Sequence, residues 1–148
     1  FSGPVGLRVS ATDWVDGGWT LADTQRLAAD MRALGADFMH VSSGGVSPKQ
    51  TIPVGPGYQV HLAQAVKAVC GLPTLAVGLI TQPEQAEALL QAGQADLVAI
   101  ARAALYDPRW GWHAAAALGA QLPAQRQYWR STPREAGNLF TNARIGMR

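Results

Sequence analysis

The sequence predicts an α/β fold built as half of a (β/α)8 barrel, and two observations predict it. Apolar runs with strand character alternate four times with stretches of helical period, which indicates a parallel sheet with helices outside it. The GxGxxG loop of a doubly wound dinucleotide fold is absent, whereas the 148 residues supply about half of the roughly 250 that a complete barrel needs.

Four βα units follow one another along the chain. The predicted strands cover residues 5–10, 36–43, 74–77 and 95–101. The predicted helices cover residues 21–34, 59–69, 81–91 and 110–118. A loop rich in Pro and Gly separates the second strand from its helix, and an irregular tail is expected from residue 122 onward.

The first two units carry clear boundary signals. Alternation along the first strand places Arg8 and Ser10 on the face opposite to its apolar side chains. Thr20 is a capping residue before the first helix, and Gly35 is the usual residue just past a helix end. Gly44 follows the second strand and ends it.

The last two units are bounded in the same way. Gly78 ends the third strand, and Pro83 suits the first turn of the next helix. The fourth strand contains the apolar run 97–100, which is typical of a parallel strand buried on both faces. A short helical turn begins after Arg102 and ends before Pro108, since the residue before a proline is disfavoured in the helical region.

Arg102 is the first candidate for ligand binding. It follows the small residue Ala101 where a buried strand meets the start of a helix, so backbone N–H groups and a two-pronged guanidinium could meet one anion there, most simply a phosphate. Pairing of Arg102 with a loop carboxylate is the alternative. Arg8 cannot face a packed apolar core unpaired, so it needs an electron-rich partner, for which an isoalloxazine ring is suitable.

Composition excludes several classes of function. The net charge is only +2 and there is no basic stretch with interleaved aromatics, so we expect no nucleic-acid partner. No apolar stretch is long enough to span a bilayer, and we expect a cytoplasmic protein. The lone Cys70 offers neither a disulfide nor a Cys-ligated metal site, and we expect its thiol to be buried. A chain that begins at Phe1 rather than Met suggests missing upstream sequence.

Other reactive or aromatic side chains are better explained by structural or solvated roles than by catalysis. A turn-forming Asp, a surface Lys and a packed Trp are each commoner than their catalytic or cofactor-binding counterparts. Tyr58 stays open between a substrate contact and loop packing. The residues interpreted as structural or solvated are Asp13, Asp16, His40, Lys49, His61, Trp110, Trp112 and His113.

Five stretches together resemble one family. They are LRVSATDW, VSSGGVSP, VGPGYQV, AVGLITQPEQAEALLQAGQADLVAIARAALYDPRW and LPAQRQYWR, which span roughly residues 4–130 in the family's order and spacing. The chain is similar to the C-terminal half of the old yellow enzyme family of NADH:flavin oxidoreductases, in its thermophilic-like branch of ene-reductases. The resemblance implies strands five to eight of a TIM barrel over residues 1–123, with residues 124–148 as a C-terminal tail at a dimer interface or disordered.

The resemblance also implies contacts with FMN. Arg8 would lie beside the N1–C2=O edge of the flavin and stabilise the anionic reduced ring. Ser42, Ser43 and Gly44 would line the cavity near the ribityl chain.

Further along the chain, the resemblance implies a phosphate site and a subunit contact. Gly78 would offer its N–H near the phosphate, and Ala101 with Arg102 would cradle the phosphate itself. The family usually has Gly where this chain has Ala101, whose methyl group would clash if the backbone there needed a positive φ. Arg130, or more weakly Arg126, would match an arginine that reaches into the neighbouring subunit's site, which implies a homo-oligomer.

The chain departs from the family in two regions. Residues 131–148, which include Arg134, Arg144 and Arg148, match nothing in its pattern. The substrate-binding His pair and the proton-donating Tyr belong to the family's N-terminal half, so no catalytic residue is assigned here and the chain alone is expected to be inactive. The expected partner is that N-terminal half-barrel, in the same or a separate chain.

The implied function is reduction of the C=C bond of α,β-unsaturated carbonyl compounds, such as enones and enals, with FMN and with NADH or NADPH as hydride donor. One alternative is another phosphate-binding TIM-barrel enzyme of the isomerase or aldolase type. The other is an inactive half-barrel that only self-associates, because four strands leave two sheet edges and an apolar inner face uncovered.

Overall fold

The computed structural model describes residues 1–142, which form two compact units. The first unit comprises Phe1–Thr81 and Gln85–Ile100. The second begins at Ala101 and also includes Gln82–Glu84. No helix within residues 1–142 has the length and apolar character needed to cross a bilayer.

The first unit contains a four-stranded parallel sheet. Its strands are β1 (Gly6–Ser10), β2 (Phe38–Ser42), β3 (Thr74–Val77) and β4 (Leu97–Ala99), in the order β1-β2-β3-β4. The helices α1 (Leu21–Met31), α2 (Val60–Cys70) and α3 (Pro83–Gln91) follow the first three strands. Sequential parallel strands joined by helices are the arrangement of half a (β/α)8 barrel, which confirms the predicted fold class.

The two faces of this sheet differ in burial. Met39, Val41 and Ala76 are fully buried on the face where α2 packs against β2 and β3. Strand register puts Arg8, His40, Leu75 and Leu97 in one row across the opposite face, which we call the inner face. Within the row, His40 and Leu75 are half-buried whereas Arg8 and Leu97 are exposed.

The prediction that the fourth strand is buried on both faces is wrong for this structure. Leu97 is 50 % exposed, and Val98 and Ala99 are half-buried. The reason is position: β4 is the last strand of the sheet and pairs only with β3 within the described residues. An apolar run predicts a buried strand, but burial of an edge strand depends on a neighbour beyond that edge.

The boundary signals work as predicted, with small shifts. Thr20 forms a capping box with Asp23: its hydroxyl accepts from the Asp23 N–H, and the Asp23 carboxylate accepts from the Thr20 N–H at 2.9 Å. The helix ends at Met31, earlier than predicted, and residues 32–35 form turns that end at Gly35, which adopts φ +87°. Cys70 is buried at the last position of α2, and Gly71 follows it with φ +60°.

The second unit begins with α4 (Arg102–Tyr106) and α5 (Trp110–Ala117). The region predicted as irregular from residue 122 instead contains two short parallel strands, β5 (Leu122–Ala124) and β6 (Phe140–Asn142). The Trp112 ring packs edge-on against Phe140 at 4.7 Å between centroids, which holds the second strand in place. Sequence alone misses this pair because its strands are three residues long and far apart in the chain.

The domain division at residues 123/124 and the interface role of the tail stay predictions. Arg134 lies in a 3-10 turn, Arg134–Ala136, between the two short strands, and its side chain is exposed. Arg144 and Arg148, named in the sequence analysis, lie outside the described residues.

Candidate functional site

The carboxyl ends of β1 and β2 are tied together by hydrogen bonds. The N–H of Ala11 donates to the carbonyl of Ser42 at 2.7 Å, and the N–H of Gly44 donates to the carbonyl of Thr12 at 2.8 Å. The Ser10 hydroxyl donates to the carbonyl of Gly44 at 3.0 Å. The loops after the two strands therefore form one rim, at the sheet edge where barrel enzymes place their ligands.

Gln59, which was not predicted as a functional residue, extends this rim to β3. Its side chain is buried, with 4 % exposure, and bridges two neighbouring strands. The Ser43 hydroxyl donates to Gln59 Oε1 at 2.6 Å, and Gln59 Nε2 donates to the Val77 carbonyl at 3.0 Å. A buried amide with both ends satisfied fixes the positions of its partners. The only sequence signal was a polar residue directly before an apolar helix.

Backbone strain is concentrated just after β3. Gly78 adopts φ +123°, and a Cβ added there would lie 2.7 Å from Gln59 Nε2 and 3.1 Å from the Tyr58 ring. The following residue, Leu79, has φ +49°, which is rare for a residue with a branched side chain. Tyr58 thus packs beside Gly78, and the space at Gly78 is closed to any side chain. The predicted site residue Gly78 therefore stands where only glycine is accommodated.

Arg8 lies on the inner face, as predicted, and its partner is a histidine. Arg8 Nη1 lies 3.0 Å from Nδ1 and 2.8 Å from Nε2 of His40, its register partner on β2. Within residues 1–142, no carboxylate forms an ion pair with Arg8. Burial and, to a smaller extent, the charge of Arg8 lower the pKa of His40 from its ordinary value. His40 is thus the residue whose ring contacts the Arg8 guanidinium.

The two rim serines are both engaged as donors within the fold. The Ser42 hydroxyl donates to the carbonyl of Val9 at 3.2 Å, and the Ser43 hydroxyl is held by Gln59. Both oxygens keep acceptor capacity. Gly44 has φ +68°, and a Cβ there would lie 2.8 Å from Gln50 Oε1, so a side chain would disturb this loop. The residues predicted to line the ribityl chain, Ser42, Ser43 and Gly44, therefore lie on one rim.

In the second unit, Arg102 is the first residue of α4. Its side chain is exposed, and within the described part of the chain no ion pair or hydrogen bond engages its guanidinium. Ala101 has φ −126°, so the backbone there needs no positive φ, and the methyl group that replaces the family's usual glycine causes no strain of that kind. The alternative in which Arg102 pairs with a loop carboxylate is not what the described residues show.

The two arginines of the tail are both exposed. Arg130 lies in the 3-10 turn Arg126–Ser131, and no hydrogen bond or ion pair of its side chain occurs within residues 1–142. Arg126 Nε donates to Asn142 Oδ1 at 3.4 Å. The first is therefore the freer of the two candidates for a contact with another subunit.

Most residues interpreted as structural or solvated have contacts of that kind. Asp13 accepts from the Trp19 N–H at 2.9 Å in its own loop, and Lys49 is exposed. His113 Nδ1 lies 2.6 Å from a carboxylate oxygen of Asp107. The rings of His61 and Trp112 pack edge-on against Trp14 at 6.4 Å and Tyr128 at 5.4 Å between centroids.

The described donors fit FMN in chemical character. Arg8 and Arg102 are cations with no carboxylate partner within residues 1–142, which suits an electron-rich ring and a phosphate. The rim supplies serine oxygens and a glycine, Gly78, whose backbone is not covered by a side chain of its own. The first unit is half of a (β/α)8 barrel whose inner-face arginine suits an electron-rich ligand, and the second unit carries an exposed arginine that suits a phosphate.

Comparison with known proteins specifies the family. A sequence model of the NADH:flavin oxidoreductase / NADH oxidase family matches residues 2–121. The NADPH dehydrogenase of Halalkalibacterium halodurans is 44 % identical over 131 residues, which are 88 % of this chain and 38 % of that protein. The NADPH dehydrogenase of Geobacillus thermodenitrificans is 43 % identical over 130 residues, with the same coverage of 88 % and 38 %.

The chain belongs to the NADH:flavin oxidoreductase / NADH oxidase family. This confirms the predicted family, whose description pairs NADH with a flavin. The chain spans 38 % of the length of the curated relatives it matches. Histamine dehydrogenase from Rhizobium sp. 4-9 has a TM-score of 0.62 over 74 % of this chain and 16 % of its own, at 21 % identity, a likeness of fold alone.

Proposed function

We propose that this chain is the FMN-binding part of a cytoplasmic, NAD(P)H-dependent ene-reductase that reduces the C=C bond of α,β-unsaturated carbonyl compounds such as enones and enals. The observation that carries the proposal is the Arg8 guanidinium, which lies on the inner face of the sheet without a carboxylate partner among residues 1–142. Family membership supplies the class of cofactor and of hydride donor.

Arg8 is the residue that tunes the flavin in this proposal. Bound FMN supplies hydride transfer from the nicotinamide to the alkene. A guanidinium beside the pyrimidine edge of its ring favours the reduced, negatively charged form over the oxidised form. The Nε and Nη2 donors of Arg8 make no hydrogen bond within the described residues and are available for this contact.

In this proposal Arg102, with the backbone at Ala101, binds the phosphate, and Gly78 of the first unit offers its own N–H to the cofactor. The Arg102 side chain is exposed and free of carboxylates within the described residues, so its two-pronged donor set is available to an anion. The Ser42 and Ser43 oxygens line the ribityl side. No residue of this chain is assigned a catalytic role. Polarisation of the substrate carbonyl and protonation of the alkene belong to a second half-barrel outside this chain.

Arg130 is the proposed contact with a neighbouring subunit in a homo-oligomer. Its exposed side chain makes no ion pair within residues 1–142, which is what a residue that acts outside its own subunit requires. Light scattering gives the subunit number. In an oligomer, Arg130→Ala should raise KM for an enone while FMN content is retained, and an unchanged KM would refute this role.

FMN binding by purified protein that contains this chain tests the proposal. We expect flavin absorption bands and one FMN per chain. Loss of a charge-assisted phosphate contact in Arg102→Ala should weaken FMN binding about ten- to hundredfold. Arg134→Ala, which removes another exposed arginine from the second unit, is the matched control and should bind FMN as the unaltered protein does.

Two results would contradict the proposal. A colourless protein that does not take up FMN would favour the alternative of a phosphate-binding isomerase or aldolase. Equal FMN affinity of Arg102→Ala and its control would refute the phosphate role of Arg102. For the tuning role, Arg8→Leu should lower the flavin midpoint potential in a redox titration, and an unchanged potential would refute it.

A further inference from the structure

The pairing of Arg8 with His40 is unusual in its chemistry. The two residues are register partners on adjacent parallel strands, and one guanidinium nitrogen, Nη1, lies within 3.0 Å of both ring nitrogens. A neutral imidazole has one acceptor nitrogen, and a protonated one has none. The contact is therefore attractive only while His40 is neutral, and protonation would place two cations side by side.

We propose that His40 is a positioning residue for Arg8: in its neutral form it accepts a hydrogen bond from Arg8 Nη1 and holds the guanidinium on the inner face, which leaves Nε and Nη2 available to the flavin. This inference rests on the proposed function, because it concerns the same flavin site. It adds a residue that does not itself touch the flavin, and a dependence of the site on pH.

Among the described residues, His40 is the titratable group whose side chain contacts the Arg8 guanidinium. On β3, the residue opposite His40 is the apolar Leu75. The helix packed against β2 is α2, which lies on the face opposite His40. Of its titratable side chains, His61 contacts Trp14, Lys67 pairs with Asp96, and Cys70 is buried.

The state of His40 at neutral pH follows from burial and charge. The half-buried ring loses solvation, and the positive charge of Arg8 adds to this, so the pKa of His40 is lowered from its ordinary value. The ring is therefore neutral at pH 7 and able to accept. Acidification below the pKa of His40 removes the acceptor and repels Arg8, which loosens the guanidinium from the place where it meets the flavin.

The first measurement needs no flavin. NMR titration of the histidine C–H signals in the apoprotein gives the pKa of His40, and we expect it to rise when Arg8→Leu removes the neighbouring charge. His61 serves as the internal control, since its exposed ring contacts Trp14 rather than an arginine. A His40 pKa at its ordinary value in both proteins would overturn the inference.

The second measurement uses the flavin-loaded protein. Three variants are compared with the unaltered protein across pH 5–8.5 for FMN affinity and midpoint potential: His40→Leu, which has no acceptor, His40→Gln, which keeps one but does not titrate, and His61→Gln as the matched control. We expect His40→Leu to bind FMN about three- to tenfold more weakly at pH 7 and to have a lower potential. His40→Gln should restore most of both at pH 7.

The pH profiles separate positioning from a merely structural role. The unaltered protein and His61→Gln should lose FMN affinity as the pH falls through the pKa of His40, whereas His40→Gln should lack that step. Equal affinity and potential in His40→Leu and the unaltered protein would overturn the inference. A coupled His40 titration in a protein that takes up no FMN would refute the proposed function while supporting the Arg8–His40 pairing.

Discussion

The buried Gln59 amide gives the sharpest prediction about the rim. Gln59→Leu keeps the volume of the side chain but removes the acceptor of the Ser43 hydroxyl and the donor to the Val77 carbonyl. A polar group left without its partner in a buried place costs about 1–3 kcal/mol. Because Ser43 is half-buried and can regain part of its hydration, we expect a loss of about 2–4 kcal/mol in the free energy of unfolding.

Chemical denaturation of the protein that contains this chain measures that loss. Gln64→Leu is the matched control, since the same substitution is made in α2 at an exposed position, and it should change stability by less than about 0.5 kcal/mol. FMN affinity should fall in Gln59→Leu as well, because the ends of β2 and β3 lose their bridge. Equal unfolding midpoints for the two variants would refute the argument that Gln59 joins the rim.

Three further predictions concern the fold. Gly78→Ala forces a Cβ against Gln59 at φ +123° and should lower the free energy of unfolding in urea by about 1–3 kcal/mol. Gly111→Ala, which has nothing near its Cβ and no positive φ, should cause no loss of stability, and equal losses would refute the strain argument. Because the pKa of His40 is lowered in the folded state, the free energy of unfolding should decrease as the pH falls below 6.5, the ordinary pKa of histidine. Urea unfolding at pH 7 and pH 5 should show a smaller decrease for His40→Gln, and equal decreases in both proteins would contradict the linkage. Thr20→Ala removes a capping-box partner and should cost about 1 kcal/mol, which a thermal melt detects and which an unchanged Tm would contradict.

Local signals were sufficient for most of the fold. A capping residue such as Thr20 and a glycine past a helix end act within one turn of the chain, so the sequence displays them directly. The repeated alternation of strand and helix patterns likewise fixed the parallel order of β1 to β4. The exposure of Leu97 could not be predicted in this way, because it depends on whether the edge strand has a further neighbour.

The site was less predictable, because its contacts join distant parts of the chain. The face of Arg8 follows from alternation within its own strand. Its partner His40 is 32 residues away and follows only from strand register. Gln59 was missed for the same reason: its two partners lie on different strands, so no local pattern marks it as more than the start of a helix.

Titration of the protein that contains this chain with FMN, followed by flavin fluorescence, tests the central claim most directly. The account predicts saturation at one FMN per chain, with weaker binding when either Arg8 or Arg102 is replaced and unchanged binding when Arg134 is replaced. Saturation with the same affinity in all of these variants, or no uptake of FMN, would contradict it.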